Sequence, residues 1–142
     1  MEIIHTHFPN ADSDTDKWQE ILKNPSRDPS VPHLFNSVKY FVAYFSNNES
    51  LNLSFVLYEK KEAVGIMPLM VHKDEDNNWV LSSNGMDIVE PIFKKSFEKK
   101  SKKKFETKII NLIFDLSKEL KIKKCRFTNM QLFSLSHWYT KL

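Results

Sequence analysis

Residues 52–93 read NLSFVLYEKKEAVGIMPLMVHKDEDNNWVLSSNGMDIVEPIF, and this stretch decides the fold. Two apolar runs, Leu53–Tyr58 and Ala63–Val71, lie on either side of the polar tetrad Glu59–Glu62. A third run, Trp79–Leu81, follows an acidic turn and stops shortly before an Asn-Gly pair, which is typical of tight turns. The pattern predicts a β-hairpin that is extended to three strands.

The second apolar run is interrupted by Gly65 and Pro68. Proline has no N–H group to donate to a β-ladder, so it occurs in strands mainly at bulges or at locally unpaired positions. We therefore predict a β-bulge near Gly65–Pro68. The strand over residues 52–58 has apolar side chains on both of its faces, which is typical of a strand that other elements cover on both sides.

Helical periodicity occurs both before and after this hairpin in the sequence. Apolar residues recur at steps of three and four in three segments, and Asn24-Pro25 ends the first of them, because the residue before proline disfavours the helical backbone. The expected helices are Ser13–Asn24, Ser37–Phe45 and Lys102–Leu120. We also predict an opening edge strand at Ile3–Phe8 and a last strand at Lys124–Met130, which lies parallel to the third strand through a strand–helix–strand crossover.

Length and composition fit a single folded domain of residues 1–142. Hydrophobic residues make up 41% of the chain, which is enough for a core. The sequence predicts an α/β fold with a mixed, mainly antiparallel sheet flanked by helices on both faces. Cys125 is the only cysteine, no apolar run is long enough to span a membrane, and the first residues lack a signal-peptide pattern. We therefore expect a soluble, cytoplasmic protein without disulfides.

The fragment EAVGIMPL, residues 62–69, resembles the second hairpin strand of the GNAT-type acyltransferase fold. It is especially similar to FemAB-like proteins, whose first domain often carries a strand with the pattern vG-x-x-P-l after a strand that ends in Glu. The phrase PHLFNSVKYFVAYF, residues 32–45, also resembles the aromatic helix that precedes this hairpin in FemAB-like proteins. The order of the predicted elements over residues 14–130 is that of the front part of a GNAT-like domain.

The resemblance implies a GNAT-like fold and a transferase that passes an acyl or aminoacyl group to an amine. FemAB-like proteins usually have two such domains in tandem, and a chain of 142 residues holds only the first. The resemblance therefore implies an incomplete or truncated FemAB-like protein, whose partner is a second GNAT-like domain or another protein. The alternative hypothesis is a non-catalytic binding or partner-interaction module derived from the same fold.

Candidate substrate contacts lie at the bulge and at the turn after the third strand. They are Gly65, Ile66 and Met67, where the resemblance implies that the donor carbonyl is held, together with Asn84 and Gly85. We name no catalytic base. His72 stands beside an acidic turn and suits a base, and the alternative is that it belongs to a solvated turn.

The cofactor prediction depends on a missing loop. Family members that use acyl-CoA carry an R/Q-x-x-G-x-G/A loop, whose amides bind the pyrophosphate at a helix N-terminus. Here residues 82–105, SSNGMDIVEPIFKKSFEKKSKKKF, contain one glycine and neither arginine nor glutamine. We therefore assign no cofactor and expect no tight binding of acetyl-CoA. FemAB-like enzymes use aminoacyl-tRNA as the donor and do not require this loop in their first domain.

Residues 94–108 contain eight lysines and two glutamates, a local charge of +6 in a chain of net charge +3. Lysine at a helix start opposes the helix macrodipole, which favours a role other than stability. The candidate anion-binding residues are Lys99, Lys100, Lys102, Lys103 and Lys104. Their expected partner is an anionic ligand or tRNA, with a solvated surface as the alternative.

A metal site is not predicted. His5 and His7 alternate along the expected edge strand and would share a face, but the sequence places no third ligand near them. Zinc sites in proteins take three or four protein ligands, so two surface imidazoles are the simpler interpretation.

Overall fold

The computed structural model describes residues 2–4, 12–44, 50–97 and 99–127. These ranges contain three α-helices, one short 3₁₀ helix and eight strands. The helices are α1 (Asp12–Lys23), the 3₁₀ helix Val31–His33, α2 (Phe35–Tyr44) and α3 (Lys99–Glu119). The strands are β1 (Glu2–Ile4), β2 (Leu51–Asn52), β3 (Phe55–Glu59), β4 (Glu62–Met67), β5 (Met70–Lys73), β6 (Trp79–Ser82), β7 (Ile92–Phe93) and β8 (Lys124–Cys125).

The helices lie close to their predicted bounds, except that α3 begins at Lys99 rather than at Lys102. The described part of the predicted opening strand is β1, and residues 5–8 of that prediction lie outside the described residues. Residues 128–130 of the predicted last strand also lie outside them. His5 and His7, which are interpreted from the sequence as two surface imidazoles, also lie outside the described residues.

The predicted α/β class is confirmed, but the strands form two sheets instead of one. The first sheet has the order β1-β3-β4-β7, and the second has the order β2-β5-β6-β8. All neighbours are antiparallel except β6 and β8, which are parallel. Residues 51–59 and 62–73 run through both sheets as the two long arms of one bent hairpin.

The bend between the sheets lies where side chains replace ladder hydrogen bonds. Pro68 supplies no N–H group, and the next amide, that of Leu69, donates to Ser54 Oγ at 3.1 Å. The Ser54 hydroxyl donates in turn to Leu69 O at 3.2 Å, and Asn52 Oδ1 accepts the Ser54 N–H at 3.0 Å. The buried polar groups at the bend are therefore satisfied without regular strand pairing.

The predicted bulge is present in β4. Leu57 is opposite Gly65 and Tyr58 is opposite Ala63, so Val64 is the extra residue. Gly65 itself has no left-handed φ, so the bulge does not use the backbone freedom of glycine. A Cβ atom at Gly65 would instead lie 2.9 Å from Ile92 O in β7. Glycine is required there because β7 approaches closely, and not because of its flexibility.

Helices cover both faces of the first sheet, as the sequence predicts. Trp18 and Val38, from α1 and α2, pack against Val56 and Ile66 on one face. On the other face α3 packs Phe105, Ile109 and Ile113 against Phe55, Leu57 and Met67. Each of these large side chains stabilises the fold by roughly 1.5–3 kcal/mol when it is fully buried.

The parallel crossover is also confirmed. After β6 the chain passes through β7 and α3 and returns as β8, which pairs Val80 with Lys124 and Leu81 with Cys125. Ile88 and Phe127 extend this parallel pairing by one bridge. Within the described ranges, none of the helices combines the length and the apolar character that a bilayer crossing requires.

Candidate functional site

A pocket of about 230 Å³, lined by polar side chains and by Val80, Leu81 and Met86, opens beside β6. Its walls come from β5, from β6 with the turn that follows it, and from the chain just after β8. The polar and charged residues that line it, together with the glycine of the turn, are His72, Asp74, Ser82, Gly85, Asp87 and Arg126. The parallel pairing of β6 with β8 is what brings Arg126 to residues that lie about 40 positions earlier in the sequence.

The turn that forms one wall has the backbone expected of an Asn-Gly pair. Asn84 and Gly85 have φ values of 55° and 79°, both in the left-handed region. Ser83 and Met86 close the turn through two backbone hydrogen bonds of 3.0 and 3.1 Å. Asparagine and glycine adopt this conformation at little cost, so the local sequence fixes the position of this wall.

His72 and Ser82 form the inner part of the pocket. Both side chains are buried, and Ser82 Oγ lies 3.5 Å from His72 Nδ1. The Gly85 N–H donates to the same Ser82 oxygen at 3.0 Å. Burial lowers the pKa of His72, while the nearby charge of Asp74 acts in the opposite direction. His72 is therefore a neutral imidazole at pH 7, and a neutral imidazole is able to accept a proton.

Charged groups of both signs surround this inner part. Arg126 Nε lies 3.4 Å from Asp87 Oδ1, with 70% and 39% of the two side chains exposed. Asp74 Oδ1 accepts the N–H groups of Asp76 and Asn78, which anchors its carboxylate on the turn between β5 and β6. Two carboxylates and one guanidinium leave an excess of negative charge, which favours a ligand with a cationic group.

The turn is also held from the protein interior. Asn84 is fully buried and its Nδ2 donates to Pro32 O at 2.9 Å. Ser83 Oγ donates to Pro68 O at 2.7 Å and accepts the Val89 N–H at 3.1 Å. These bonds connect the turn to the 3₁₀ helix and to the bend between the two sheets. The pocket wall is therefore rigidly supported from behind.

His33 is the centre of a buried polar cluster behind the turn. Its Nδ1 accepts from the Ser30 N–H and lies 2.8 Å from the Ser30 hydroxyl, so Nε2 carries the proton and donates to Glu90 O at 2.7 Å. Burial lowers the pKa of His33 to about 4. The Trp18 indole N–H donates to the carbonyl of His33 at 2.8 Å. Both ring nitrogens are occupied, so His33 acts as a structural residue.

Two carboxylates complete this cluster near the start of α3. Arg27 donates to Glu90 O at 3.0 Å, and its guanidinium lies 3.4 Å from Glu90 Oε2. Burial raises the pKa of Glu106, and the neighbouring charge of Glu90 raises it further. Lys102 and Lys103 act in the opposite direction on Glu106. The first turns of α3 therefore combine a basic surface with a buried acidic interior.

The structure separates the five predicted substrate contacts. Gly85 lines the pocket, and Asn84 supports it from behind. Ile66 and Met67 are fully buried on opposite faces of the first sheet, and Gly65 is enclosed by β3 and β7. None of these three lines the pocket, and their contact with a donor stays a prediction.

The predicted anion-binding lysines lie on α3. Lys103 and Lys104 are exposed and Lys102 is half-buried, while Lys99 and Lys100 occupy the first turn of the helix. That turn contains no acidic residue. The lysines do not line the pocket, so they form a separate candidate surface.

Sequence reasoning missed Ser82, Asp87 and Arg126. Ser82 and Asp87 flank the recognised Asn-Gly turn, and their polarity next to a predicted strand end was the available signal. Arg126 carried no comparable signal, because only the pairing of β6 with β8 brings it to the turn.

Among the residues that the structure describes, no group of three or more His, Cys, Asp or Glu side chains is arranged to hold a metal ion. The chain matches no family model, no curated protein and no solved structure.

Proposed function

We propose that this chain is a domain of the FemAB-like or GNAT-type acyltransferase superfamily, which transfers an acyl or aminoacyl group to an amine. The observation that carries the proposal is the polar pocket beside β6, at a parallel strand pair that follows a bulged hairpin. A bulged hairpin, a long helix and a returning parallel strand are the elements that the sequence resemblance implies for such a domain.

The chemistry of the pocket suits an amine acceptor. An amine is protonated in water near pH 7 and must lose a proton before it attacks a carbonyl carbon. Asp74 and Asp87 attract the ammonium form, and His72, whose pKa is lowered by burial, is the imidazole in the pocket that would take up the proton. Correct positioning of the acceptor against the donor supplies the rest of the rate enhancement.

The donor that fits this proposal is an aminoacyl ester of tRNA. Residues 83–98, between β6 and α3, contain one glycine and neither arginine nor glutamine, so they lack the R/Q-x-x-G-x-G/A pattern of the loop that binds the pyrophosphate of acyl-CoA. Lys103 and Lys104 are exposed at the start of this helix and supply positive charge for a polyanionic donor. A second GNAT-like domain or a protein partner would complete the donor site.

Transfer of a labelled amino acid from aminoacyl-tRNA to small primary amines tests the proposal. We expect His72→Gln to lower kcat/KM by about 100-fold or more, because general-base assistance is worth roughly 10²–10⁴. Lys123→Gln changes an exposed lysine that does not line the pocket and should leave the rate unchanged. Absence of transfer from both aminoacyl-tRNA and acyl-CoA, with a partner domain supplied, would contradict the proposal.

The alternative, a non-catalytic binding module, is favoured by one observation. The first turn of α3 contains lysines and no acidic residue, and Lys103 and Lys104 expose their side chains. Such a surface binds polyanions by releasing counterions, without any need for the pocket. Under this hypothesis the chain binds nucleic acid or an acidic partner and transfers nothing.

Salt dependence of binding to tRNA and to heparin tests the alternative. Replacing Lys102, Lys103 and Lys104 by Gln should flatten the slope of log affinity against log salt by roughly two to three units. The matched control replaces Lys118, Lys121 and Lys123 near the other end of α3 and should leave the slope unchanged. If the wild type and both triple variants bind equally weakly at low salt, the surface is only solvated.

A further inference from the structure

The charges around the pocket are of both signs, and this restricts what it can bind. Its volume of about 230 Å³ is below the roughly 300–1,000 Å³ of sites for drug-sized ligands, so it suits a small molecule. Asp74 and Asp87 are negative, Arg126 is positive, and His72 is neutral at pH 7. A ligand that matches all of these groups must itself carry both charges.

Arg126 is well placed to bind an anionic group. Among the described residues, Asp87 is its only ion-pair partner, at 3.4 Å through Nε. Exposed ion pairs of this kind contribute only about 0–1 kcal/mol, so a ligand can replace the contact at small cost. The backbone beneath the pair is fixed, because the Ile88 N–H donates to Arg126 O at 2.7 Å.

Asp74 and Asp87, like Arg126, can bind a ligand group of opposite charge, which for a carboxylate is an ammonium group. The Asp74 contacts to the turn amides use Oδ1, and the Asp87 contact to Arg126 also uses Oδ1. The second oxygen of each carboxylate is not needed for those contacts. A carboxylate oxygen accepts a charge-assisted hydrogen bond from an ammonium group, which is stronger than a bond between neutral groups.

We infer that this pocket binds a small zwitterion, an ammonium group with a carboxylate or phosphate within a few bonds of it. Arg126 binds the anionic group, and Asp87 with Asp74 binds the ammonium group. The inference rests on the proposed function in one respect, because it takes this zwitterion to be the amine that accepts the acyl group.

Ligands with a single charge fit the pocket less well. A simple amine competes with Arg126 for Asp87 and leaves the guanidinium without its partner. A simple anion is repelled by the two carboxylates. A zwitterion gives each charged group a partner of opposite sign, which is the usual basis of electrostatic specificity.

An NMR titration of the protein without any acyl donor tests the inference. The first probes are L-alanine, which is a zwitterion, and two relatives with a single charge. Ethylamine lacks the carboxylate, and N-acetyl-L-alanine lacks the charged nitrogen. Phosphoethanolamine and ethanolamine form a second pair, which distinguishes phosphate from carboxylate as the anionic group. We expect at least one zwitterion to bind about tenfold or more tightly than its match without the anion, with amide shifts at Gly85, Asp87 and Arg126.

Variants then assign the two charges. Arg126→Gln should abolish the preference for the zwitterion, and Asp87→Asn should weaken binding of every ammonium probe. Lys123→Gln is the control and should change neither. Equal binding of zwitterion and simple amine, a preference that survives Arg126→Gln, or no binding of any probe would overturn the inference.

The two proposals fail in different ways. A zwitterion that binds through Arg126 but is never acylated would contradict the transferase proposal and leave this inference intact. Acyl transfer to simple amines, with no preference for an anionic group, would support the transferase proposal and overturn this inference.

Discussion

Two polar regions share the segment 82–90, and they differ in how their groups are satisfied. Behind the turn, His33 uses both ring nitrogens and Ser83 uses its hydroxyl twice, all within the protein. In the pocket, the Ser82–His72 contact is 3.5 Å long and the Arg126–Asp87 pair is largely exposed. His33 and Ser83 therefore hold the fold, whereas Asn84 Oδ1, also behind the turn, is buried without a hydrogen-bond partner among the described residues. The exposed Arg126–Asp87 pair is the part of the pocket that a ligand can reach.

The two glycines provide the largest contrast between the interior and the pocket. Gly65→Ala should lower the free energy of unfolding by about 3 kcal/mol, because a Cβ atom would meet Ile92 O and Phe93 Cδ1, each at 2.9 Å. Gly85→Ala should cost about 1 kcal/mol, because only its φ of 79° is unfavourable for alanine. Chemical denaturation measures both values. Equal costs would show that β7 moves to accommodate the methyl group.

The two histidines give the next effect, which depends on pH. Unfolded His33 binds a proton near pH 6.5, whereas the folded protein keeps it neutral down to about pH 4. The contribution of neutral His33 to the free energy of unfolding is fully present above pH 6.5. It falls by up to about 3 kcal/mol as the pH drops to 4. The stability difference between wild type and His33→Gln should therefore shrink on acidification.

Denaturant unfolding at several pH values measures this difference in the free energy of unfolding between wild type and His33→Gln. His72→Gln is the matched control, because the pKa of His72 is lowered in the same direction but less strongly. Its difference from wild type should vary less with pH. A constant gap between wild type and His33→Gln would contradict the assignment of His33 as a buried neutral group.

The two adjacent serines give the smallest effect. Ser83→Ala removes bonds to Pro68 O and from the Val89 N–H and should cost about 2 kcal/mol, since it leaves buried groups without partners. Ser82→Ala removes one bond from the Gly85 N–H and the long, 3.5 Å contact with His72 Nδ1, and should cost about 1 kcal/mol. Thermal unfolding of both variants compares them. A larger loss for Ser82 would mean that the pocket edge is a structural element.

The sequence predicted those parts of the fold that depend on local patterns. Apolar runs on either side of a polar tetrad indicated the hairpin, Pro68 and Gly65 indicated an irregular strand, and the helical periods placed α1 to α3. The division into two sheets was not predictable, because it depends on the Ser54 hydroxyl replacing ladder bonds opposite Leu69. Side chains that substitute for backbone partners leave no periodic signal.

The candidate site was predictable only at its turn. The Asn-Gly pair correctly predicted a turn with left-handed backbone. Asparagine is mostly exposed in proteins, whereas Asn84 is fully buried and its side-chain amide donates to Pro32 O. The approach of Arg126 to Asp87 depends on strand pairing across the crossover. Gly65 was predicted to lie at a bulge, and the close approach of β7 is the physical reason for glycine at that position.

The parallel crossover has a consequence for the order of folding. The bent hairpin of residues 51–73 and its pairing with β6 join segments that are close in sequence, so these contacts close short loops. Pairing of Val80 with Lys124 must wait until the chain through α3 has been brought back. We expect the hairpin to form early and β8 to dock late. The arginine side of the pocket is then also the first to be lost in local unfolding, so amide exchange near Arg126 should be faster than in β4.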